Sequence, residues 1–129
     1  SGRLSGRTVA VFGGSSGMGE AVVERVAQEG GAVWVIGRDK TRCEAVVAGL
    51  GADAKAQYAL VDASEEEAVK AFFADKAATF TDIVITAGPS VAGGGLESAE
   101  CDAVLNQFKV KFMPAYMVAK YSQFALAKP

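Results

Sequence analysis

The chain contains no histidine and only two cysteines, Cys43 and Cys101, far apart and without the spacing that metal ligation uses. A histidine-based triad and a zinc site are thereby excluded, no metal is expected, and a reducing, cytoplasmic compartment is the default expectation. There is no run of eighteen apolar residues and no signal peptide, so no segment is expected to span or cross a membrane. Neither charge dominates. Thirteen Lys and Arg stand against 15 Asp and Glu, for a net charge of -2 and a pI near 5.1, which argues against a nucleic-acid or anionic-membrane partner. What is present is 129 residues, half of them hydrophobic and 22% charged. That is one soluble domain, residues 1–129, able to bury roughly two thirds of the surface of its unfolded chain. The first residues are Ser1-Gly2 rather than Met, which suggests a processed start.

The most informative stretch is 8–39. Thr8-Val9-Ala10-Val11-Phe12 is short, nearly all apolar and rich in strand formers, as expected of a parallel strand covered on both faces. Gly13-Gly14-Ser15-Ser16-Gly17-Met18-Gly19 follows. Residues 18–28 then place Ala21, Val22, Val23, Val26 and Ala27 on an apolar stripe at helical spacing, with Glu20, Glu24, Arg25 and Gln28 outward. Ala32-Val33-Trp34-Val35-Ile36 is a second strand, which completes a βαβ unit. Glycines between strand and helix permit unusual φ values and close approach of a bulky anion, and the helix N–H groups near Gly17 to Gly19 would face it. Three glycines can also serve merely as a tight turn; their position between a good strand and a good helix favours a ligand.

Residues 1–7 form a polar lead-in expected to cross the base of the sheet. A helix is expected over 41–50, with Val46, Val47 and Leu50 inward, Gly51 ending it and Cys43 as a small core residue, since nothing nearby would depress its pKa. Residues 57–61 form a third strand with Asp62 at its end. Ser64-Glu65-Glu66-Glu67 reads as a capping box, in which Ser64 accepts from the Glu67 N–H, opening a helix through Ala68, Val69, Phe72, Phe73 and Ala77 with Phe80 packed behind it. A fourth strand begins at Asp82 and leaves through Thr86-Ala87-Gly88. Gly93-Gly94-Gly95 is a flexible loop. Residues 97–128 read as one long or bent helix. One apolar face carries Val104, Leu105, Phe108, Phe112, Ala115 and Ala119, and a second carries Met113, Met117, Tyr121 and Phe124; both are expected to be buried, with a kink or fresh start at Pro114.

The spacing Gly-x-x-x-Gly-x-Gly at Gly13, Gly17 and Gly19, with Ser15, Ser16 and Met18 in the same turn, resembles the short-chain dehydrogenase/reductase family. The resemblance covers the whole chain but only the first half of the family's domain. It implies a Rossmann-like parallel sheet of strand order 3-2-1-4 with right-handed crossovers and helices on both faces, half of a doubly wound domain. It also implies a dinucleotide cofactor and a carbonyl or alcohol substrate. In such folds an acid after the second strand accepts from the adenosine ribose, whereas an arginine accommodates a 2′-phosphate. Here Gly37 holds the acid's place and Arg38 follows, which favours NADP over NAD, although Asp39 is two residues on and Arg38 can also be read as a solvated loop charge.

By the same resemblance Asp62 faces the adenine pocket, against the plainer reading of a helix-start residue, and Ala87 and Gly88 flank the cofactor. Ile85, Thr86 and Phe12 depart from the polar residues the family carries there, so a buried polar contact is expected to have become apolar. Lys111, in Phe108-Lys109-Val110-Lys111-Phe112, stands where most members have a catalytic asparagine. The family's catalytic serine and Tyr-x-x-x-Lys pair lie in the half that would follow this chain. Tyr116 and Lys120 match the Tyr-x-x-x-Lys spacing, but on the wrong helix and with Ala103 in the place of the upstream serine, so they are read as a structural tyrosine and a surface lysine.

An exposed fourth strand and a two-sided last helix would then call for a partner, either another copy or a carboxyl-terminal half. Three readings follow: the NADP-binding half of an oxidoreductase, a non-catalytic nucleotide-binding or structural fragment, or a Rossmann methyltransferase. The last is disfavoured because its ribose-binding acid is expected where Gly37 stands.

Overall fold

Alternation along the first strand decides how the layers form. The computed structural model describes residues 2–86, 88 and 94–128. In β1 (Thr8–Phe12), Val9 and Val11 point to one side of the sheet and Ala10 and Phe12 to the other, and all four are buried. A strand buried on both faces needs a cover on each. The first side is closed by α1 (Gly17–Gln28) through Val23 and Val26, and by α2 (Lys40–Gly49) through Cys43 and Val46. The second is closed by α3 (Glu66–Phe73) through Val69, Phe72 and Phe73, and by α5 (Met113–Tyr121) through Met117 and Val118, with Phe80 between them. Of the stripe read from the sequence of α1, Ala21 is exposed, because it lies beyond the arc that meets the sheet.

The sheet is wholly parallel in the order β3-β2-β1-β4, with β2 at Ala32–Gly37, β3 at Ala56–Leu60 and β4 at Asp82–Ile85. This is the order expected, with β3 one residue earlier than the pattern suggested. Phe12 pairs across to Ile36 of β2 and Ile85 of β4, so the turn that follows it leaves the middle of the sheet. Phe12 itself lies against Phe72 and Phe73 with ring centroids 5.9 and 5.8 Å away, which is the apolar replacement anticipated. A polar tie nevertheless survives beside it. The Thr86 hydroxyl donates to the Phe12 and Gly13 carbonyls at 3.1 and 3.4 Å, so the end of β4 is held to the turn through backbone oxygen rather than through a partner side chain.

Two local expectations change. The Ser64 capping box does not form: the Ser64 N–H and hydroxyl both donate to Asp62 Oδ1, at 3.0 and 2.7 Å, and α3 starts after Glu65 with no side-chain cap. An aspartate two residues upstream competes for the same serine and wins locally. α3 also stops at Phe73, so Ala77 lies beyond it. The single helix of 97–128 starts later and ends sooner. α4 (Cys101–Gln107) runs into a π-helical segment, Phe108–Phe112, and on into α5. The Met113 N–H donates to the Phe108 carbonyl five residues back. Pro114 has no N–H and its ring crowds the carbonyl four residues back, so widening the helix just before it carries the axis past the proline without a break.

The two apolar faces part company at this point. On the second face Met117 is buried and Met113 and Tyr121 are partly so, but Phe124 is half exposed, and Val104, Leu105, Phe108, Phe112 and Tyr116 are half or more exposed. After α5 a 3-10 turn (Gln123–Ala125) brings Leu126 into a parallel bridge with Phe80, just ahead of β4. Beyond that bridge the outer side of β4 has no strand partner among the described residues, and a groove of about 360 Å³ lies along it between Ile83, Ile85, Val118 and Leu126.

Candidate functional site

At the carboxyl ends of the strands a cleft of about 1160 Å³ opens beside β1, where the sheet order reverses between β2 and β4. Open parallel sheets place their ligands at this switch point, and the volume exceeds the roughly 300–1,000 Å³ of an ordinary small-molecule pocket. Gly13, Ser15, Ser16, Gly17, Met18 and Gly19 line it, as do Arg38 and Asp62. With Thr86 and Gly88 after β4, one cleft gathers residues from all four strand ends.

The turn is shaped by two different demands. A Cβ on Gly19 would lie 2.0 Å from the Gly13 carbonyl oxygen and 2.6 Å from Thr86 Oγ1, so the helix can start this close to the strand only without a side chain there. Gly17 has φ +55 and a Cβ there would meet nothing within 4 Å, which leaves the inner surface of the turn open for a bulky group. Ser16 precedes α1 without a side-chain cap, so the first-turn N–H groups of that helix are not met by its own capping side chain. Open N–H donors, an unfilled glycine surface and the positive end of a helix dipole are what a pyrophosphate requires.

At the β2 end, Gly37 leads to Arg38 and Asp39, both on the cleft wall, and Asp39 also caps α2, accepting from the Arg42 N–H at 3.1 Å. Lys40 and Arg42 also line the cleft, two cations that the sequence reading passed over. Their signal was the first turn of a helix that starts directly after the ribose-reading position. Asp62 closes this end. Burial pushes its carboxyl up, but the Ser64 hydroxyl and N–H, with Arg38 and Lys109 nearby, outweigh this and hold it below the usual carboxylate range. Asp62 therefore shapes a turn with Ser64 ahead of α3 and does not cap that helix, which starts after Glu65, and it lines the cleft wall.

At the β4 end the cleft is bounded by Thr86, Gly88, Val110 and Pro114. Lys111 comes from the π-helical segment beside Val110 and is not itself among the residues that line the cleft; its Nζ donates to the Gly88 carbonyl at 3.4 Å, at the cleft's edge. Ala87 and Gly93 lie outside the described residues. Tyr116 and Lys120 are not on the cleft wall. Tyr116 is half exposed and stacks on Phe112 with centroids 6.4 Å apart, and Lys120 Nζ sits 5.3 Å over the Tyr121 ring. Cys43 is fully buried and burial pushes its thiol up, in keeping with a core residue and not a nucleophile.

A parallel 3-2-1-4 sheet with a glycine turn at its switch point defines a Rossmann-like nucleotide-binding architecture. Within that class the chain belongs to the short chain dehydrogenase family, whose profile it matches over residues 7–122. It is 38% identical over 104 residues to a 2,5-dichloro-2,5-cyclohexadiene-1,4-diol dehydrogenase of Sphingobium indicum, an alignment covering 81% of this chain and 36% of that protein. Over 75 residues it is 41% identical to a 3beta-hydroxysteroid dehydrogenase of Mediterraneibacter gnavus, covering 57% and 27% of the two chains. Among solved structures, a citronellol catabolism dehydrogenase of Pseudomonas aeruginosa superposes with a TM-score of 0.82 at 27% identity, covering 93% of this chain and 50% of that one. The chain thus spans half or less of the length of these relatives.

Proposed function

We propose that this chain is the NADP(H)-binding portion of an oxidoreductase acting on a carbonyl or alcohol substrate. The observation that carries the reading is the convergence on one cleft of the open glycine turn at Gly17, the uncapped start of α1 and the cation Arg38 next to a glycine at the ribose-reading place. The turn and helix would hold the pyrophosphate, Arg38 the 2′-phosphate, and Asp62 the adenine edge. Gly88 would flank the cofactor, as the family resemblance also implies for Ala87, which lies outside the described residues. The dinucleotide would supply the hydride chemistry when bound. Lys111, anchored near Gly88, is proposed in the catalytic place where the family usually has asparagine. The dehydrogenase names of the relatives support the same class of reaction.

In this reading the chain binds cofactor but does not turn substrate over by itself, because Tyr116 and Lys120 stand off the cleft and the family's proton-transfer pair has no other counterpart in these residues. A further polypeptide, either a second copy or a carboxyl-terminal half, would complete the site and cover the exposed apolar face of Leu105, Phe108, Phe112 and Tyr116. Two free cysteines are in keeping with the proposed cytoplasmic setting. The test is titration of the purified chain with NADPH and with NADH, followed by intrinsic tryptophan or nicotinamide fluorescence. Preference for NADPH by about tenfold, shrinking with added salt, is expected from one additional charge-assisted contact. Equal binding of the two, or tighter NADH binding, would remove the NADP assignment.

A further inference from the structure

The floor of the cleft beneath Gly37 is filled from two directions. A Cβ built on Gly37 would lie 2.9 Å from Ser15 Oγ and 3.2 Å from Cys43 Sγ, with Ser15 Cβ at 3.5 Å. The first of these contacts is closer than Cβ atoms come to other heavy atoms without something moving. The second contact is with a residue that cannot give way, since Cys43 is fully buried in the core between α2 and the sheet, and Ser15 closes the same space from the side of the turn. Gly13 and Gly14 both donate to the Ile36 carbonyl, at 2.8 and 3.3 Å, which pins the turn carrying Ser15 against the strand carrying Gly37.

We propose that Ser15, held against β2 by the turn that carries it and facing the buried Cys43 across Gly37, is a specificity-determining residue that makes glycine obligatory at position 37, so that no carboxylate can be installed there to read a ribose 2′-hydroxyl while Ser15 stays in place. The cleft is left to recognise the 2′-position through the cations of the β2–α2 connection, Arg38 first, while the nearby carboxylate of Asp39 is engaged in capping α2. This rests on the dinucleotide reading above for the identity of the ligand, but the steric interlock stands without it. Ser15 and Cys43 are positioning residues in this account; neither is given a role in bond making.

The test separates the two. Melting of Gly37→Ala, Ser15→Ala and the double variant reads the interlock with no ligand present. Gly37→Ala alone is expected to lower Tm, and Ser15→Ala is expected to restore much of that loss, a non-additive pair. Additive changes, or a Gly37→Ala chain that melts like the parent, would overturn the interlock. In the second arm NADH and NADPH are titrated into Gly37→Asp and into Gly37→Asp combined with Ser15→Ala. The single variant is expected to lose NADPH affinity and gain nothing for NADH, whereas the double variant gains about tenfold for NADH over the single one. Equal NADH affinity in the two, or no gain in a double variant that folds, would overturn the specificity role. If the parent chain binds neither dinucleotide, the reading of the ligand and this specificity role fail together, and the melting arm still decides the interlock.

Discussion

Replacing the two glycines of the turn should separate stability from binding. At Gly19 an added methyl group meets the Gly13 carbonyl oxygen at 2.0 Å, its carbon at 2.6 Å and Thr86 Oγ1 at 2.6 Å, and two of these are backbone atoms. Overpacking costs roughly 1–3 kcal/mol, and a backbone obstacle puts Gly19→Ala at the upper end. Alanine in a helix recovers roughly 0.5–1 kcal/mol, leaving a net loss of about 2 kcal/mol. At about 2.1 cal/mol/K per residue, a 129-residue chain has an unfolding entropy near 0.27 kcal/mol/K, so Tm should fall by about 7 °C. Gly17→Ala meets nothing within 4 Å and has only its φ of +55 to accommodate, at a cost of roughly 1–2 kcal/mol. Its methyl group, however, projects into the open surface of the turn. Gly17→Ala is therefore expected to lose about tenfold or more in NADPH affinity with a Tm loss of about 4–7 °C. Thermal melting and a dinucleotide titration on both variants check this. Unchanged melting of Gly19→Ala, or unchanged affinity of Gly17→Ala in a chain whose parent binds, would refute the division of labour between these glycines.

Three further outcomes are expected. The Tyr121 hydroxyl donates to Glu66 at 2.6 Å, which pushes its pKa up to about 12. A raised value stabilises the fold fully below pH 10, and the contribution is lost as pH rises through 12, so Tyr121→Phe should flatten the fall in Tm over that window. Asp62 is held low chiefly because the Ser64 bonds outweigh its burial, so its contribution is present above about pH 4 and is lost as pH falls through the depressed value. Asp62→Ala should cost about 1 kcal/mol at neutral pH by urea titration and lessen the acid sensitivity. Ala78 adopts φ 51 while its N–H donates to the Phe124 carbonyl at 3.0 Å. Ala78→Gly should relieve the left-handed strain and raise stability by up to about 1 kcal/mol; a loss of stability would show that the strain is absent.

The βαβ unit of residues 8–39 was legible because its signals are local. Apolar runs, a glycine turn and a helical stripe each lie within a few residues, and the strand order came with the family resemblance that the glycine spacing carries. The turn residues Gly13 to Gly19 and the Arg38 position were legible for the same reason, and the structure brings them to one cleft. Asp62, placed at a strand end by pattern, reached that cleft as well. Periodicity could not say which face of the last helix is covered. Both faces of residues 101–121 are apolar, and only the packing of α5 on α3 buries Met117 while leaving Phe108 and Phe112 exposed.

The sequence by itself determined the elements, their order and the glycine turn, since backbone freedom, hydrophobic period and strand length act over short distances along the chain. Tertiary structure decided the rest. Asp62 took Ser64 from the capping box, Pro114 was passed by a π-helical widening, and the Thr86 hydroxyl found backbone oxygens of β1. It also set Ser15 and Cys43 beneath Gly37. Each of these depends on which polar or bulky group arrives first in the same few ångströms, and residues far apart in sequence meet there only once the sheet has been assembled.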